Sequence, residues 1–140
     1  MRLVRRMRIA VVAGALGVAT TGSVLSVAAD SAFPFDRELK LDTPPMKGSK
    51  RVPIIEVSAN GAAEIGLWCN TVRGTIIVVG DTITILPGQP AEGQNQCAPE
   101  RSQGDEEMLS ALAQMTNWRR EGEMLILTGA RTLRFRLQTN

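Results

Sequence analysis

The chain has 140 residues and a mass of 15.1 kDa, which is the size of a single domain. Its 16 basic and 14 acidic residues give a net charge of +2, and it contains two cysteines and no histidine. Without histidine the chain lacks the commonest general base and a usual zinc ligand. We therefore predict no enzymatic activity, no catalytic residues, no metal site and no cofactor.

Residues 1–29 have the three parts of a secretory signal peptide. The start "MRLVRRMR" is basic, "IAVVAGALGVA" is apolar, and small residues lead to a cleavage point near Ala28 or Ala29. An uncleaved membrane anchor is the alternative, because residues 9–29 approach the roughly 20 residues that span a bilayer. Polar residues interrupt this run and no basic stop follows, so we predict cleavage and a periplasmic or secreted protein. The membrane is a partner only if cleavage fails.

Cleavage would change the charge of the protein. It would remove four arginines and no acidic residue, which leaves 12 basic and 14 acidic residues and a net charge of −2. A weakly acidic domain gives no support for binding to nucleic acid, so no nucleic-acid partner is predicted.

The first mature segment, residues 30–52, is the least regular part of the chain. Two leucines alternate with charged residues over 37–41, so a short strand is possible there. Two prolines and a Gly-Ser pair then break the pattern. We therefore place the regular domain at residues 53–140.

Two hairpins open this domain. Residues 54–57 and the alternating run Ile65, Leu67 and Cys69 lie on either side of the turn signal Asn60-Gly61. The β-branched runs 76–79 and 82–85 lie on either side of Gly80-Asp81. Because side chains alternate along a strand, Cys69 is predicted on the apolar face and Trp68 on the opposite one.

A polar loop of about 17 residues follows, which is long for a compact domain, and a tether at Cys97 would explain it. One helix is predicted next. Ser102 and Asp105 resemble a capping start, and Met108 and Leu112 belong to an apolar stripe that predicts a core-facing helix. Arg119 and Arg120 are placed just past the helix end, where basic side chains are favourable.

Two further strands end the chain. Residues 124–127 form one, and Leu133, Phe135 and Leu137 alternate with arginines on the other. Strands, one helix and then strands predict an α+β fold, a small antiparallel sheet or partly open barrel with the helix packed across it.

The two cysteines have several possible roles. Export to an oxidising compartment and an even cysteine count favour a structural disulfide between Cys69 and Cys97. Such a bridge would contribute roughly 3–4 kcal/mol by the chain-entropy model. Two buried free thiols and, less readily, a reactive thiol remain open alternatives.

Several motifs occur in a fixed order over residues 59–137. They are Trp68-Cys69-Asn70, the hairpin "VVGDTITI", the stretch "CAPERSQGDEEMLSALAQMTNWRREGEMLIL" and the closing "RTLRFRL". This order resembles the META domain family, which includes the heat-shock protein HslJ. The resemblance implies a paired Cys69 and Cys97, a partly open antiparallel barrel with one helix, and no established catalytic residues. It also implies an exported or envelope-associated protein with loose links to stress.

Two functional hypotheses follow. The first is a non-enzymatic, stress-related protein of the cell envelope that binds or protects other envelope proteins, most simply as a monomer. The second is binding of a small apolar ligand, such as a lipid, inside a partly open barrel. Its interior candidates are Ile65, Leu67, Ile83, Ile85, Leu133, Phe135 and Leu137. Against the second stands the alternative that these side chains pack on the helix and leave no cavity.

A partner surface is a further hypothesis. Arg131, Arg134 and Arg136 alternate on one strand and could contact an acidic partner, although alternation also puts charge on any solvated sheet face. An outward Trp68 could anchor a partner or cover the helix or the long loop.

Overall fold

The computed structural model describes residues 32–90 and 96–139, within which the chain forms eight strands and one helix. The elements are β1 (Glu38–Leu41), β2 (Ile54–Val57), β3 (Ala62–Gly66), β4 (Thr71–Val79), β5 (Thr82–Pro87), α1 (Pro99–Ala113), β6 (Met115–Glu121), β7 (Met124–Gly129) and β8 (Thr132–Leu137). The signal peptide predicted for residues 1–29 lies outside the described residues. Where the chain is described, α1 is too short and too polar to cross a bilayer and no other helix could do so.

The strands form a closed antiparallel barrel in which each strand pairs with the next one along the chain. β1 closes the ring, because it pairs with β2 on one side and with β8 on the other, where Leu39 lies opposite Leu137. The predicted α+β fold with a partly open barrel is therefore wrong. The protein is mostly β, with a single short helix between β5 and β6.

The error has a physical cause in β6. The sequence analysis placed Arg119 just past a helix end, but α1 stops at Ala113 and Arg119 lies within β6, opposite Ile126 of β7. A register shift between Met115 and Asn117 interrupts the alternation, and most β6 side chains are polar and at least partly exposed. Such a strand carries little of the two-residue period by which strands are recognised.

Alternating side chains from the strands fill the barrel with one hydrophobic cluster. Its strand members include Leu39, Ile55, Val57, Ile65, Val72, Ile76, Ile83, Ile85, Leu125, Leu127, Leu133, Phe135 and Leu137. Met108, Ala111 and Leu112 of α1 belong to the same cluster, so the predicted apolar stripe of the helix faces the core. The interior candidates for an apolar ligand are thus packed among side chains and against the helix.

The up-and-down topology gives the barrel two distinct ends. The helix end carries α1 and the β3–β4 loop, residues 67–70. The aromatic end carries Phe33, Phe35 and Trp118. The Phe33 ring lies 4.8 Å from Phe35 and 5.2 Å, edge to face, from Trp118. The indole Nε1 of Trp118 donates to the carbonyl oxygen of Gly80 at 2.9 Å. Each end is therefore closed by a different set of side chains.

Candidate functional site

A buried carboxylate joins the helix to the β3–β4 loop. Asp105 is 4% exposed, and its Oδ1 and Oδ2 accept the backbone N–H groups of Cys69 and Asn70, each at 2.9 Å. The predicted capping role of Asp105 is wrong, because α1 begins earlier, at Pro99. Proline is favourable at the first helical position, since it has no N–H to leave unpaired. Asp105 therefore lies inside the helix, where its side chain reaches the loop.

Arg51 holds the same loop from its other side. Its Nη1 donates to the carbonyl oxygen of Cys69 at 3.0 Å, and its Nη2 donates to the carbonyl oxygen of Asn70 at 3.0 Å and to Thr71 Oγ1 at 2.8 Å. The planar guanidinium presents its donors in a fixed fork, which suits neighbouring carbonyl groups. Asp105 and Arg51, together called the loop clamp below, fix both the donors and the acceptors of this turn.

A disulfide between Cys69 and Cys97 adds a covalent tie at the same place, with the two Cα atoms 5.9 Å apart. This confirms the predicted bridge. Cys97 lies just before Pro99, so the bridge joins the loop to the start of α1. Both cysteines are consumed by the bridge. The described ranges contain no group of three or more side chains suited to holding a metal ion.

Trp68 lies within the clamped β3–β4 loop and is 9% exposed. A Cβ atom added to Gly104 of α1 would lie 2.8 Å from the indole Cδ1 and 2.6 Å from Cε of Met46. The indole therefore packs against the helix backbone, and a side chain at position 104 would force Met46 and Trp68 to move. Of the two positions considered from the sequence, the structure shows the one in which Trp68 covers the helix.

A groove of about 380 Å³ lies between α1 and β8, and we call it the helix-end groove. Its apolar lining includes Met46, Trp68, Met108 and Leu133. Its charged lining consists of Asp42, Glu107, Arg131 and Arg134. An apolar floor with a few charged groups is typical of binding sites in proteins. Because Trp68 and Met108 come from the loop and the helix that the clamp joins, the clamp also sets the shape of this groove.

A second depression, of about 480 Å³, lies on the other side of Arg131. It is lined mainly by polar helix side chains, among them Glu106, Ser110 and Gln114, and it contains no aromatic residue. We regard the helix-end groove as the candidate site, because it contains the aromatic side chain of Trp68 and two arginines, whereas the second depression contains one arginine and no aromatic residue.

The structure brings together three of the four residues predicted as a partner surface. Trp68, Arg131 and Arg134 all line the helix-end groove. Arg136 lies beside it and pairs with Asp42, with 3.2 Å between Nη2 and Oδ1. Sequence analysis missed Met46 and Arg51, because both lie in the irregular segment before the first predicted hairpin. It recorded Met108 only as a core residue.

A comparison with protein-family models decides the family, because the META domain model matches residues 38–140. The chain belongs to the META domain family. The match begins at β1, so the segment that we predicted as poorly regular already contributes a strand to the META domain. A specific likeness to HslJ stays a prediction.

Two other comparisons were made for this META-domain protein. No curated protein matches it significantly. A solved structure, determined by NMR, is similar with a TM-score of 0.55 and 18% sequence identity. The similarity covers 73% of this chain and 89% of the other. At this identity the likeness concerns the fold alone.

Proposed function

We propose that this META-domain protein is a non-enzymatic protein of the cell envelope that binds or protects other envelope proteins through its helix-end groove. The observation that carries the proposal is the groove itself, which is lined by the apolar side chains of Trp68 and Met46 together with two arginines. Aromatic and arginine side chains are the residues most enriched at the energetic centres of protein interfaces.

The construction of the helix end supports a preformed site. Asp105 and Arg51 fix the loop that carries Trp68, and the Cys69–Cys97 bridge fixes the start of α1. A surface that is ordered before binding loses less conformational entropy when a partner arrives. Rigid support of this kind therefore favours binding, in addition to its contribution to the stability of the fold.

The alternative, a small apolar ligand inside the barrel, receives less support. It was predicted for a partly open barrel, whereas the barrel is closed. Ile65, Ile85 and Phe135, three of its proposed contacts, are at most 2% exposed and belong to the packed core cluster. The groove on the outside of the barrel is the better candidate for recognition.

The proposal is tested by chemical cross-linking in cells, followed by purification of the protein under several envelope stresses. Thr132 is exposed and lines the groove, so Thr132→Trp should fill it. Thr84→Trp is the matched control, since Thr84 is also an exposed strand threonine but does not line the groove. We expect the wild type and Thr84→Trp to retain a protein partner and Thr132→Trp to lose it. Isolation of the wild-type protein alone under every stress would refute the proposal.

Export is tested separately by the intact mass of the native protein, with thiol alkylation before and after reduction. A mass that fits a start near Ala29 or Asp30, with alkylation only after reduction, is the expected result. A full-length mass with two freely alkylated thiols would place the domain in a reducing environment and would remove the envelope from the proposal.

A further inference from the structure

The arginines of the strands differ in whether a carboxylate is already near them. Arg119, Arg120 and Arg136 each have an acidic side chain within 4.0 Å, at 2.9, 3.8 and 3.2 Å. In the part of the chain that the structure describes, Arg134, Arg131 of the β7–β8 turn and Arg73 of β4 form no such pair, and of these three Arg131 and Arg134 line the groove. The hydrogen bond of Arg131 runs from Nη2 to the backbone oxygen of Glu107 at 3.5 Å, which is at the outer limit for such a bond.

The acidic residues of the groove do not balance these two arginines. Asp42 is engaged by Arg136, whose Nη2 lies 3.2 Å from its Oδ1. That leaves Glu107 as the acidic lining residue without an ion pair among the described residues, against the two cations of Arg131 and Arg134. The edge of the groove formed by β8 is therefore electropositive, although the predicted mature chain is weakly acidic.

We propose that the helix-end groove binds an extended acidic and apolar segment of a partner protein. Its carboxylates would face Arg131 and Arg134, and its apolar side chains would pack on Trp68 and the half-buried Met46. The inference rests on the proposed function and specifies the chemistry of the partner. A guanidinium group donates two parallel hydrogen bonds to a carboxylate, a geometry that arginine provides better than lysine.

The apolar lining of the groove suits partner segments of several sequences better than it suits one specific sequence. Met46 is half-buried and contributes a flexible thioether side chain to the groove, next to the Trp68 indole across Gly104. Methionine adapts its shape to different apolar groups and is frequent at surfaces that bind several partners. A protein that protects several envelope proteins must accept different apolar side chains, while its arginines would still require acidic residues in each partner.

The shape of the groove favours a protein segment over a fatty acid. Its volume of about 380 Å³ is near the lower limit for pockets that enclose a whole small molecule. It is also partly open to solvent, so part of a fatty-acid tail would stay hydrated. An extended chain can place individual side chains in the groove and leave its backbone in water.

Fluorescence anisotropy with three labelled nine-residue peptides tests the inference. One alternates leucine and glutamate, the second has glutamine for glutamate, and the third has serine for leucine. We expect the first to bind at least about threefold more tightly than either of the others, the size of effect that a partly exposed ion pair supports. Added salt should reduce the difference between the first and second peptides.

Protein variants locate the effect. Arg134→Gln should weaken binding of the leucine-glutamate peptide to the level of its glutamine counterpart. Arg119→Gln is the matched control, because Arg119 is also an exposed strand arginine but pairs with Glu121 and does not line the groove. Equal loss in both variants would show a general charge effect and would overturn the inference.

Other outcomes separate the inference from the proposed function. Equal binding of the glutamate and glutamine peptides, abolished by Thr132→Trp, would overturn the acidic requirement and leave the groove as a protein-binding site. Direct binding of laurate that Thr132→Trp abolishes, with no binding of any of the three peptides, would overturn the inference in favour of a lipid. If cross-linking in cells recovers no partner protein while the purified protein still binds the leucine-glutamate peptide, the result would instead count against the proposed function.

Discussion

At the helix end a buried carboxylate, a guanidinium group and a disulfide hold the β3–β4 loop, whereas at the aromatic end three rings close the barrel by packing. Hydrogen bonds and covalent bonds fix distances and directions, while apolar contacts mainly require that volume be filled. The helix end is thus built to fix positions and the aromatic end to exclude water. The candidate groove lies at the end where positions are fixed.

The largest effect should come from Asp105, on which the helix end depends most. Asp105→Ala leaves the buried N–H groups of Cys69 and Asn70 without their acceptor. Each stranded amide costs about 1–3 kcal/mol, so we expect a loss of about 4 kcal/mol in the free energy of unfolding. Urea denaturation with the disulfide intact measures it. Glu106→Ala, an exposed acid on the same helix, is the control and should change stability by less than about 0.5 kcal/mol.

A loss below 1 kcal/mol for Asp105→Ala would mean that Arg51 and the disulfide hold the loop without the carboxylate. The helix end would then differ from the aromatic end mainly by the Cys69–Cys97 bond and the hydrogen bonds of Arg51.

The disulfide should rank next. A double change, Cys69→Ser with Cys97→Ser, removes the constraint on the unfolded chain and should cost roughly 3–4 kcal/mol. Thermal and urea unfolding of both proteins measure the loss, and dithiothreitol added to the double variant is the control because it should change nothing further. If the variant is as stable as the wild type, the clamp alone holds the helix end.

Phe33 sharpens the comparison from the aromatic end. Phe33→Ala should cost about 3 kcal/mol, because it opens a cavity beside Trp118. Phe33→Leu keeps most of the volume and should cost less than about 1.5 kcal/mol. Urea denaturation of the two variants measures both losses. A leucine variant as damaged as the alanine variant would show that this end also needs a specific ring geometry.

Gly104→Ala should have the smallest effect on the free energy of unfolding, but it should displace the Trp68 indole. Alanine at this position gains about 1 kcal/mol of helix propensity but places a Cβ 2.8 Å from the Trp68 indole. We expect a net change within about 1 kcal/mol and a displaced indole. Trp68 fluorescence in a Trp118→Phe background reports the displacement. Gly122→Ala is not a suitable control, because Gly122 has a positive φ, so Ser110→Ala on the exposed helix surface serves instead.

Part of this fold follows from local sequence patterns. The hairpins around Gly61 and Gly80 were predicted because each has alternating residues and a turn glycine, and both glycines have the positive φ that such turns require. β1 and β6 were the difficult strands. One has only four residues and the other is polar and irregular, yet these two determine whether the sheet closes.

The site was less predictable than the fold. The Cys69–Cys97 pair could be found because only one pairing exists and export favours it. The joint action of Arg51 and Asp105 could not, since neither residue belongs to a periodic pattern and they meet only through the loop that they both bind. Alternation placed Trp68 on the outer face of a strand, but in the structure Trp68 lies in the β3–β4 loop and packs against α1, because alternation takes no account of a helix that covers the end of a barrel.

Position-resolved photo-cross-linking in cells is the most direct test that the helix end is the functional surface. A photoreactive residue replaces Thr132 in the groove in one protein and Glu123, in the turn after β6 at the aromatic end, in another. We predict a cross-linked envelope protein from position 132 and none from position 123. An adduct at position 123, with none at position 132, would contradict the account and assign recognition to the aromatic end.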